Sequence, residues 1–133
     1  MLIQNRKAYH NYRILEEKEA GVALLGAEVK SLRAGQANLN NSFIHFKENG
    51  VFLVNAHIAL YPPSRQEIDS RRSRRLLLKQ QEILSWQNKV KQQKLTIVPL
   101  EWYNKGNLIK LKIGLGKKKK NRDNKGDRGK KKR

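Results

Sequence analysis

The stretch LTIVPLEWYNKGNLIKLKIGL, residues 95–115, indicates the fold most directly. In its second half apolar side chains alternate with Lys110 and Lys112, a period of two that is typical of a strand with one buried face. The inward positions are Ile109, Leu111, Ile113 and Leu115. The first half predicts a strand with Pro99 at an edge or bulge. The polar turn 104–107 joins the two halves into an antiparallel hairpin.

The same alternation recurs upstream in VFLVNAHIAL, residues 51–60. The predicted core face of this strand consists of Phe52, Val54, Ala56, Ile58 and Leu60. Residues 43–46 are predicted to pair with it, because the intervening Glu48-Asn49-Gly50 contains the Asn-Gly pair that favours hairpins. Residues 10–15 and 20–25 are shorter strand candidates.

Two segments are predicted to be helical. In residues 27–34, Val29 and Leu32 lie three apart as core residues, and Gly35 supplies a stop signal. Lys30 and Arg33 share one face of this helix, where they either contact a partner molecule or pair with Glu28. A longer helix is predicted from about residue 73 to 93. Its apolar stripe is Leu76, Leu77, Ile83, Leu84 and Val90.

Four bases crowd the predicted start of the longer helix, where the helix dipole favours anions. They are Arg71, Arg72, Arg74 and Arg75. Either an anionic partner lies nearby or this is a solvated basic turn. The sum of about six short strands and two or three helices predicts a mainly β fold. The specific prediction is a small closed antiparallel barrel of the oligonucleotide-binding kind with the helices packed on it.

The charge of the chain restricts its partners. There are 30 Lys and Arg against 11 Asp and Glu among 133 residues, a net charge of +19. Such a surplus attracts polyanions, so nucleic acid is the leading predicted partner and a membrane surface its competitor. The chain has no cysteine, which excludes disulfides and thiolate metal sites. Without a membrane-length apolar run or a signal-peptide pattern, we expect a soluble intracellular protein.

The charge is concentrated at the C-terminus but not confined there. Residues 117–133 hold 11 bases, two acids and no apolar side chain, so a disordered basic tail is predicted. Residues 1–116, the predicted folded domain, keep 19 bases and nine acids. The domain is therefore basic in its own right.

Residues that could support catalysis or metal binding are sparse. The chain has three histidines, His10, His45 and His57, which lie in different segments. No pair of them has the spacing of metal ligands on one element. No cofactor site is predicted. Glu16, Glu17 and Glu19 could hold Mg²⁺ in a nuclease. The cluster could equally be a charged loop, or an anchor that accepts hydrogen bonds from base edges or 2′-hydroxyls.

Four blocks of the sequence resemble the small protein B family, the SsrA-binding proteins. They are NRKAYHNYRILEEKEAGVALLGAEVKSLRAGQANL (5–39), RRSRRLLLKQQEI (71–83), LTIVPLEWYNKG (95–106) and KLKIGLGKKKK (110–120). The resemblance implies a monomeric, non-enzymatic protein that binds the tRNA-like domain of transfer-messenger RNA (tmRNA). It implies delivery to stalled ribosomes for trans-translation, in a bacterial cytoplasm or an organelle stroma. A ribosomal-protein-like binder of rRNA is the alternative.

The resemblance also implies roles for particular residues. Asn5 and Glu19 would contact RNA, Leu77 would lie against an unstacked nucleotide, and Lys110 would belong to the RNA face. With the basic positions around them, the predicted RNA-binding set is Asn5, Arg6, Lys7, Glu19, Lys30, Arg33, Arg74, Arg75, Leu77, Lys79, Lys105, Lys110, Lys117 and Lys119. The tail residues predicted to act in the ribosomal A site and mRNA channel are Lys120, Arg122, Asp123, Lys125 and Arg128.

The sequence departs from the family pattern at the end of the domain. The family usually has alanine and glycine where this chain has Gly116 and Lys118. If that glycine is needed for a positive φ, either Lys118 is strained or the chain turns at Gly116.

Overall fold

A computed structural model of the chain describes residues 2–60 and 68–119. This part of the chain is mainly β with three helices. The strands are β1 (Leu2–Gln4), β2 (Tyr12–Val22), β3 (Ala37–Asn38), β4 (Phe43–Lys47), β5 (Gly50–Val54), β6 (His57–Ile58), β7 (Arg74–Leu77), β8 (Thr96–Lys105) and β9 (Leu108–Lys118). The helices are α1 (Arg6–Asn11), α2 (Gly26–Arg33) and α3 (Gln80–Gln93).

Seven strands form one antiparallel sheet in the order β1-β8-β9-β2-β7-β5-β4, and β3 pairs with β6 in a second. The β8–β9 hairpin confirms the prediction from residues 95–115. It closes through Gly106 and Asn107, with Gly106 at a φ of 61°. A register shift between Pro99 and Glu101 marks the predicted bulge. The four inward residues of β9 are buried, whereas Lys110 and Lys112 face outward.

The predicted face of residues 51–60 is only partly correct. Strand β5 ends at Val54, and Asn55 then adopts a left-handed conformation with a φ of 63°. Before this residue the buried side chains are Val51 and Leu53, so Phe52 and Val54 face outward, contrary to the prediction. After it Ala56, Ile58 and Leu60 are buried, as predicted. The left-handed residue shifts the alternation by one position.

The N-terminal strands are also arranged differently from the prediction. A single strand, β2, replaces the two short candidates, and helix α1 takes up residues predicted to begin the first of them. Helix α1 forms because the Asn5 side chain accepts a hydrogen bond from the Ala8 N–H at 3.3 Å, satisfying a free helix donor.

The observed bounds of the two predicted helices differ from the prediction mainly at the start of α3. Helix α2 ends near Gly35 as predicted, at a φ of 74°. Helix α3 begins at Gln80, not at residue 73, because residues 74–77 form β7 between β2 and β5. The seven-residue spacing of Leu76 and Ile83 spans a strand and a helix. In β7, Leu76 is buried while Leu77 is 56% exposed, as expected for successive residues of a strand.

The sheet curls until β4 lies within 8 Å of β8, measured between Cα atoms. No hydrogen-bonded ladder joins them within residues 2–60 and 68–119, so the predicted closed barrel stays a prediction. The β8 edge is partly covered by Asn5, whose backbone and side-chain N–H groups donate to the carbonyls of Leu100 and Pro99, each at 2.8 Å.

The end of the domain shows neither consequence predicted for Lys118. Strand β9 continues through this residue, which pairs with Tyr12, and neither Gly116 nor Lys118 has a positive φ. The strand thus runs two residues past the predicted boundary at 116. The predicted tail residues from Lys120 onward lie outside the described residues. No helix in the described ranges is long and apolar enough to cross a membrane.

A glycine in β9 permits a close approach between the strand and the core. A Cβ atom at Gly114 would lie 2.7 Å from Leu100 Cδ1 and 3.1 Å from Ile14 Cγ2. We therefore expect Gly114→Ala to lower the free energy of unfolding by about 1–3 kcal/mol in a urea titration. Gly26→Ala is the control, because nothing lies within 4 Å of its added Cβ. Equal stabilities of the two variants would contradict the expectation.

Candidate nucleic-acid interface

A buried ion cluster fixes helix α2 to the segment before β7. The Glu28 carboxylate accepts from Arg72 Nε and Nη2 at 2.9 and 2.7 Å and from Arg74 Nε at 2.7 Å. It also accepts from the Leu25 N–H at 2.8 Å. Burial acts to raise the pKa of Glu28, but these bonds outweigh it and the pKa is lowered. Glu28 therefore pairs with the two arginines and with neither Lys30 nor Arg33.

This cluster corrects the predicted role of Arg74. Its side chain is 0% exposed and also donates to the carbonyls of Ala56 at 2.8 Å and Ser70 at 3.0 Å. A side chain without accessible surface cannot touch RNA in this conformation. The predicted direct contact is wrong for Arg74, and the basic run at 71–75 is partly a structural feature.

Asn5 is likewise occupied within the fold. It is 7% exposed, and its side chain caps α1 and bonds the β8 edge. The structure gives Asn5 a structural role, and its exposure does not support the implied contact with RNA. The adjacent Arg6 and Lys7 are exposed on α1.

Glu19 lies on the outward side of β2 beside Tyr103 and Lys105. Tyr103 Oη donates to it at 2.6 Å and Lys105 Nζ at 3.1 Å. These two bonds lower the pKa of Glu19, with the tyrosine as the larger cause. Burial and the Glu19 carboxylate raise the pKa of Tyr103. The carboxylate is therefore ionised at neutral pH and remains partly exposed, so it can accept further hydrogen bonds.

Leu77 and Lys110 flank Gly21 on the same side of the sheet. A Cβ at Gly21 would lie 3.4 Å from Leu77 Cβ and 3.7 Å from Lys110 Nζ. Gly21 is two residues from Glu19 and therefore shares its face of β2. The structure thus brings together predicted site residues from four strands. We call this surface the β2 face: Glu19, Gly21, Leu77, Lys105 and Lys110.

Glu16 lies on the opposite side of β2. It accepts from Trp86 Nε1 at 3.2 Å and from Lys89 Nζ, both on α3, and its pKa is lowered mainly by the lysine. Glu16 points to the opposite side of the sheet from Glu17 and Glu19, so the three carboxylates are not gathered around one Mg²⁺ ion as the nuclease alternative proposed. Among the residues that the structure describes, no group of three or more potential metal ligands is assembled.

The remaining predicted basic residues are spread around the domain. Lys30 and Arg33 are exposed on α2, and Arg33 donates to the carbonyl of Asn107 at 2.7 Å. Lys79 is exposed at the N-cap of α3 and Lys117 near the end of β9. Lys119 is half-buried, with its N–H bonded to the carbonyl of Asn11 at 3.0 Å.

Sequence reasoning missed an aromatic and cationic surface on the outward side of β4 and β5. Arg75 lies over the Phe52 ring, 5.0 Å from its centroid, and so does Lys47 at 5.0 Å. Phe43 and His45 on β4 meet edge to face, 6.5 Å between ring centroids. The alternation of FIHFK was the available signal, since it places residues 43, 45 and 47 on one face.

The sequence of the chain matches a known protein family and several of its members. A family model described as SmpB protein matches residues 2–133. The SsrA-binding protein of Pelobacter propionicus is 46% identical over 132 residues, covering 98% of this chain and 87% of that protein. The SsrA-binding protein of Microcystis aeruginosa is 44% identical over 129 residues, covering 96% and 84%.

A solved structure described as "tmRNA-SmpB: a journey to the center of the bacterial ribosome" contains a chain with the same fold. That chain is 44% identical to this one, with a TM-score of 0.74, over 90% of this chain and 85% of its own length.

Proposed function

Because the chain belongs to the SmpB protein family, we propose that it binds the tRNA-like domain of tmRNA and delivers it to stalled ribosomes for trans-translation. The observation that carries this proposal is the match to the family over residues 2–133, which includes every residue of the β2 face. The related structure on the ribosome supports the same partners. The proposed role is binding, without catalysis, as a monomer in the bacterial cytoplasm.

The physical character of the domain supports an RNA partner. Folded RNA is recognised through its shape, its phosphates and 2′-hydroxyls, and its unstacked bases. On the β2 face, Lys105 and Lys110 can take phosphates and Glu19 can accept from base edges or 2′-hydroxyls. Leu77 offers an exposed apolar surface to an unstacked base. We propose that the curved sheet acts as an OB-like barrel that presents this face.

Other predicted residues extend the proposal beyond the β2 face. The exposed bases outside it would add phosphate contacts, which position an RNA without reading its sequence. They are Arg6, Lys7, Lys30, Arg33, Arg75, Lys79, Lys117 and Lys119. We propose that residues 120–133 act as a basic tail in the ribosomal A site and mRNA channel, with contributions from Lys120, Arg122, Asp123, Lys125 and Arg128.

Sequencing the RNA that co-purifies with the full chain tests the proposed function. We expect tmRNA to be strongly enriched over bulk RNA, and the protein to leave ribosomes when the salt concentration is raised, because phosphate contacts weaken with salt. Recovery of transcripts without enrichment of tmRNA would contradict the proposal. Retention on one ribosomal subunit through high-salt washing would instead favour the ribosomal-protein alternative.

Glu19→Gln tests the β2 face through the sign of its effect. If Glu19 accepts hydrogen bonds from RNA, its replacement weakens tmRNA binding by about tenfold in a gel-shift titration at fixed salt. If it were merely an acid near RNA, removing its charge would strengthen binding. Glu17→Gln is the matched control on the same strand face, where Glu17 pairs with Lys112 at 3.8 Å. We expect that variant to bind as tightly as the original protein or tighter.

A further inference from the structure

We propose that the outward side of the β4–β5 hairpin, together with Arg75, is a second contact for the same tRNA-like RNA, where an unpaired base stacks on Phe43 and a phosphate is held by Lys47 and Arg75. The inference rests on the proposed function, since it assigns a further part of the same RNA to this surface. We call this surface the stacking platform: Phe43, His45, Lys47, Phe52 and Arg75.

The aromatic part of the platform is available to a ligand. Phe43 is 49% exposed on β4, a strand at the end of the sheet, and His45 stands two residues along on the same side. A phenyl ring that exposes this much surface gains from contact with another flat apolar surface. Nucleobases stack on such rings irrespective of sequence, at about 1–3 kcal/mol per base.

The cationic part of the platform has no anionic partner within the described residues. Lys47 and Arg75 lie over one phenyl ring, and among residues 2–60 and 68–119 no carboxylate oxygen lies within 4 Å of the charged nitrogens of either side chain. Arg75 is held further by donating to the carbonyl of Asn49 at 2.5 Å. Each charged group lies 5.0 Å from the centroid of the Phe52 ring, so both are held at the same part of the surface, where an RNA phosphate can bind them.

The platform is continuous with the β2 face, and we therefore assign both surfaces to the same RNA. Arg75 and Leu77 are two residues apart on the same side of β7. Phe52, on the neighbouring strand β5, is the register partner of Arg75. A groove of about 860 Å³ borders both surfaces, with Leu77, Arg75 and Lys47 in its lining. Glu82, an acid of this lining, is engaged by the Lys79 N–H at 3.0 Å and by Lys18 at 3.8 Å. One strand of RNA lying against Leu77 therefore reaches the platform without leaving the protein surface.

The test measures binding of the full chain to a transcript of the tRNA-like domain over a series of salt concentrations, with all variants compared at the same salt. We expect Phe43→Ser to weaken binding by about tenfold and Phe43→Trp to retain it, because only the second variant can stack. We expect Arg75→Gln to reduce the slope of log affinity against log salt by about 1. Leu84→Ser is the matched control, since Leu84 on α3 is 48% exposed and lies off the platform.

A spectroscopic measurement reports on the stacking itself. The two native tryptophans, Trp86 and Trp102, are buried, so an indole placed by Phe43→Trp is the exposed fluorophore. We expect its emission to be quenched when the transcript is added. Melting curves of all variants confirm that each is folded.

The outcomes separate this inference from the proposed function. Failure of the unaltered protein to bind the transcript overturns both. Binding by the unaltered protein, with Phe43→Ser and Arg75→Gln no weaker than Leu84→Ser, overturns the stacking platform and leaves the proposed function standing. If the Phe43→Ser protein binds the transcript normally but no longer crosslinks to rRNA on the ribosome, the assignment of this surface to tmRNA is overturned.

Discussion

Replacing Glu28 with glutamine is expected to lower the free energy of unfolding by about 3–5 kcal/mol, a large part of the stability of a domain this size. The substitution keeps the shape of the side chain but removes its charge. The Arg74 guanidinium then remains fully buried beside Arg72 without a paired carboxylate, and the weaker influence of Asp69 is the favourable charge left to it. An uncompensated buried cation is much more costly than a lost surface pair. Urea denaturation at neutral pH measures the change.

Two further variants show whether the buried charge is the cause. Glu48→Gln removes an exposed acid at the β4–β5 turn and is expected to change stability by less than about 0.5 kcal/mol. The double variant Glu28→Met with Arg74→Met removes both buried charges and is expected to recover part of the loss. If Glu28→Gln were as stable as Glu48→Gln, the buried cluster would have no role in holding the fold.

The same carboxylate gives stability a defined dependence on pH. The pKa of Glu28 in the folded protein lies below its ordinary value of 4.5. Its ionised form therefore stabilises the fold above about pH 4.5, and this contribution is lost as the pH falls through the lowered pKa. We expect the difference in unfolding free energy between the original protein and Glu28→Gln to be constant near neutral pH and to shrink in acid. A difference independent of pH would contradict this origin.

Deleting residues 120–133 is expected to abolish tagging of a message without a stop codon while leaving most of the affinity for tmRNA. The proposed contacts of the domain, on the β2 face and the stacking platform, all lie before residue 120. The proposed contacts in the mRNA channel all lie after residue 119. The deletion begins at Lys120 because Lys117 and Lys118 pair with β2 and belong to the sheet.

A reconstituted translation system that lacks the endogenous protein supplies the measurement. The shortened protein serves as its own control if it melts at the original temperature and shifts tmRNA in a gel at a similar concentration. Tagging at the original rate would show that the tail has no part in rescue. A large loss of tmRNA affinity would show that the tail, and not the domain, supplies the main RNA contacts.

The parts of the fold that sequence predicts well have one regular period and one buried face. The β8–β9 hairpin is of this kind, because alternation, Pro99 and the Gly106 turn all agree. Prediction fails where a single residue resets the backbone, as Asn55 does with its φ of 63°. It also fails where a helical spacing continues across an element boundary, as between Leu76 in β7 and Ile83 in α3. Tertiary context decides both cases.

The candidate site follows a similar division. Glu19, Leu77 and Lys110, for which the resemblance implies RNA contacts, lie on one side of the sheet because all three face outward on neighbouring strands. The buried position of Arg74 could not be predicted, because its partner Glu28 is 46 residues away in sequence. Composition alone assigns every arginine to the surface. The platform was missed because Phe52 was expected in the core.

The order of strands in the sheet has a consequence for synthesis of the protein. Strand β2 pairs with β9 and β1 pairs with β8. The first two strands to be synthesised therefore cannot form these pairings until the last two strands have left the ribosome. Contacts at such separations form slowly, and unpaired strand edges favour aggregation in the meantime. A nascent chain halted before residue 108 would lack β9 altogether and could not complete its central sheet. A protein proposed to clear interrupted translation therefore cannot complete its own sheet when its synthesis is interrupted before this strand.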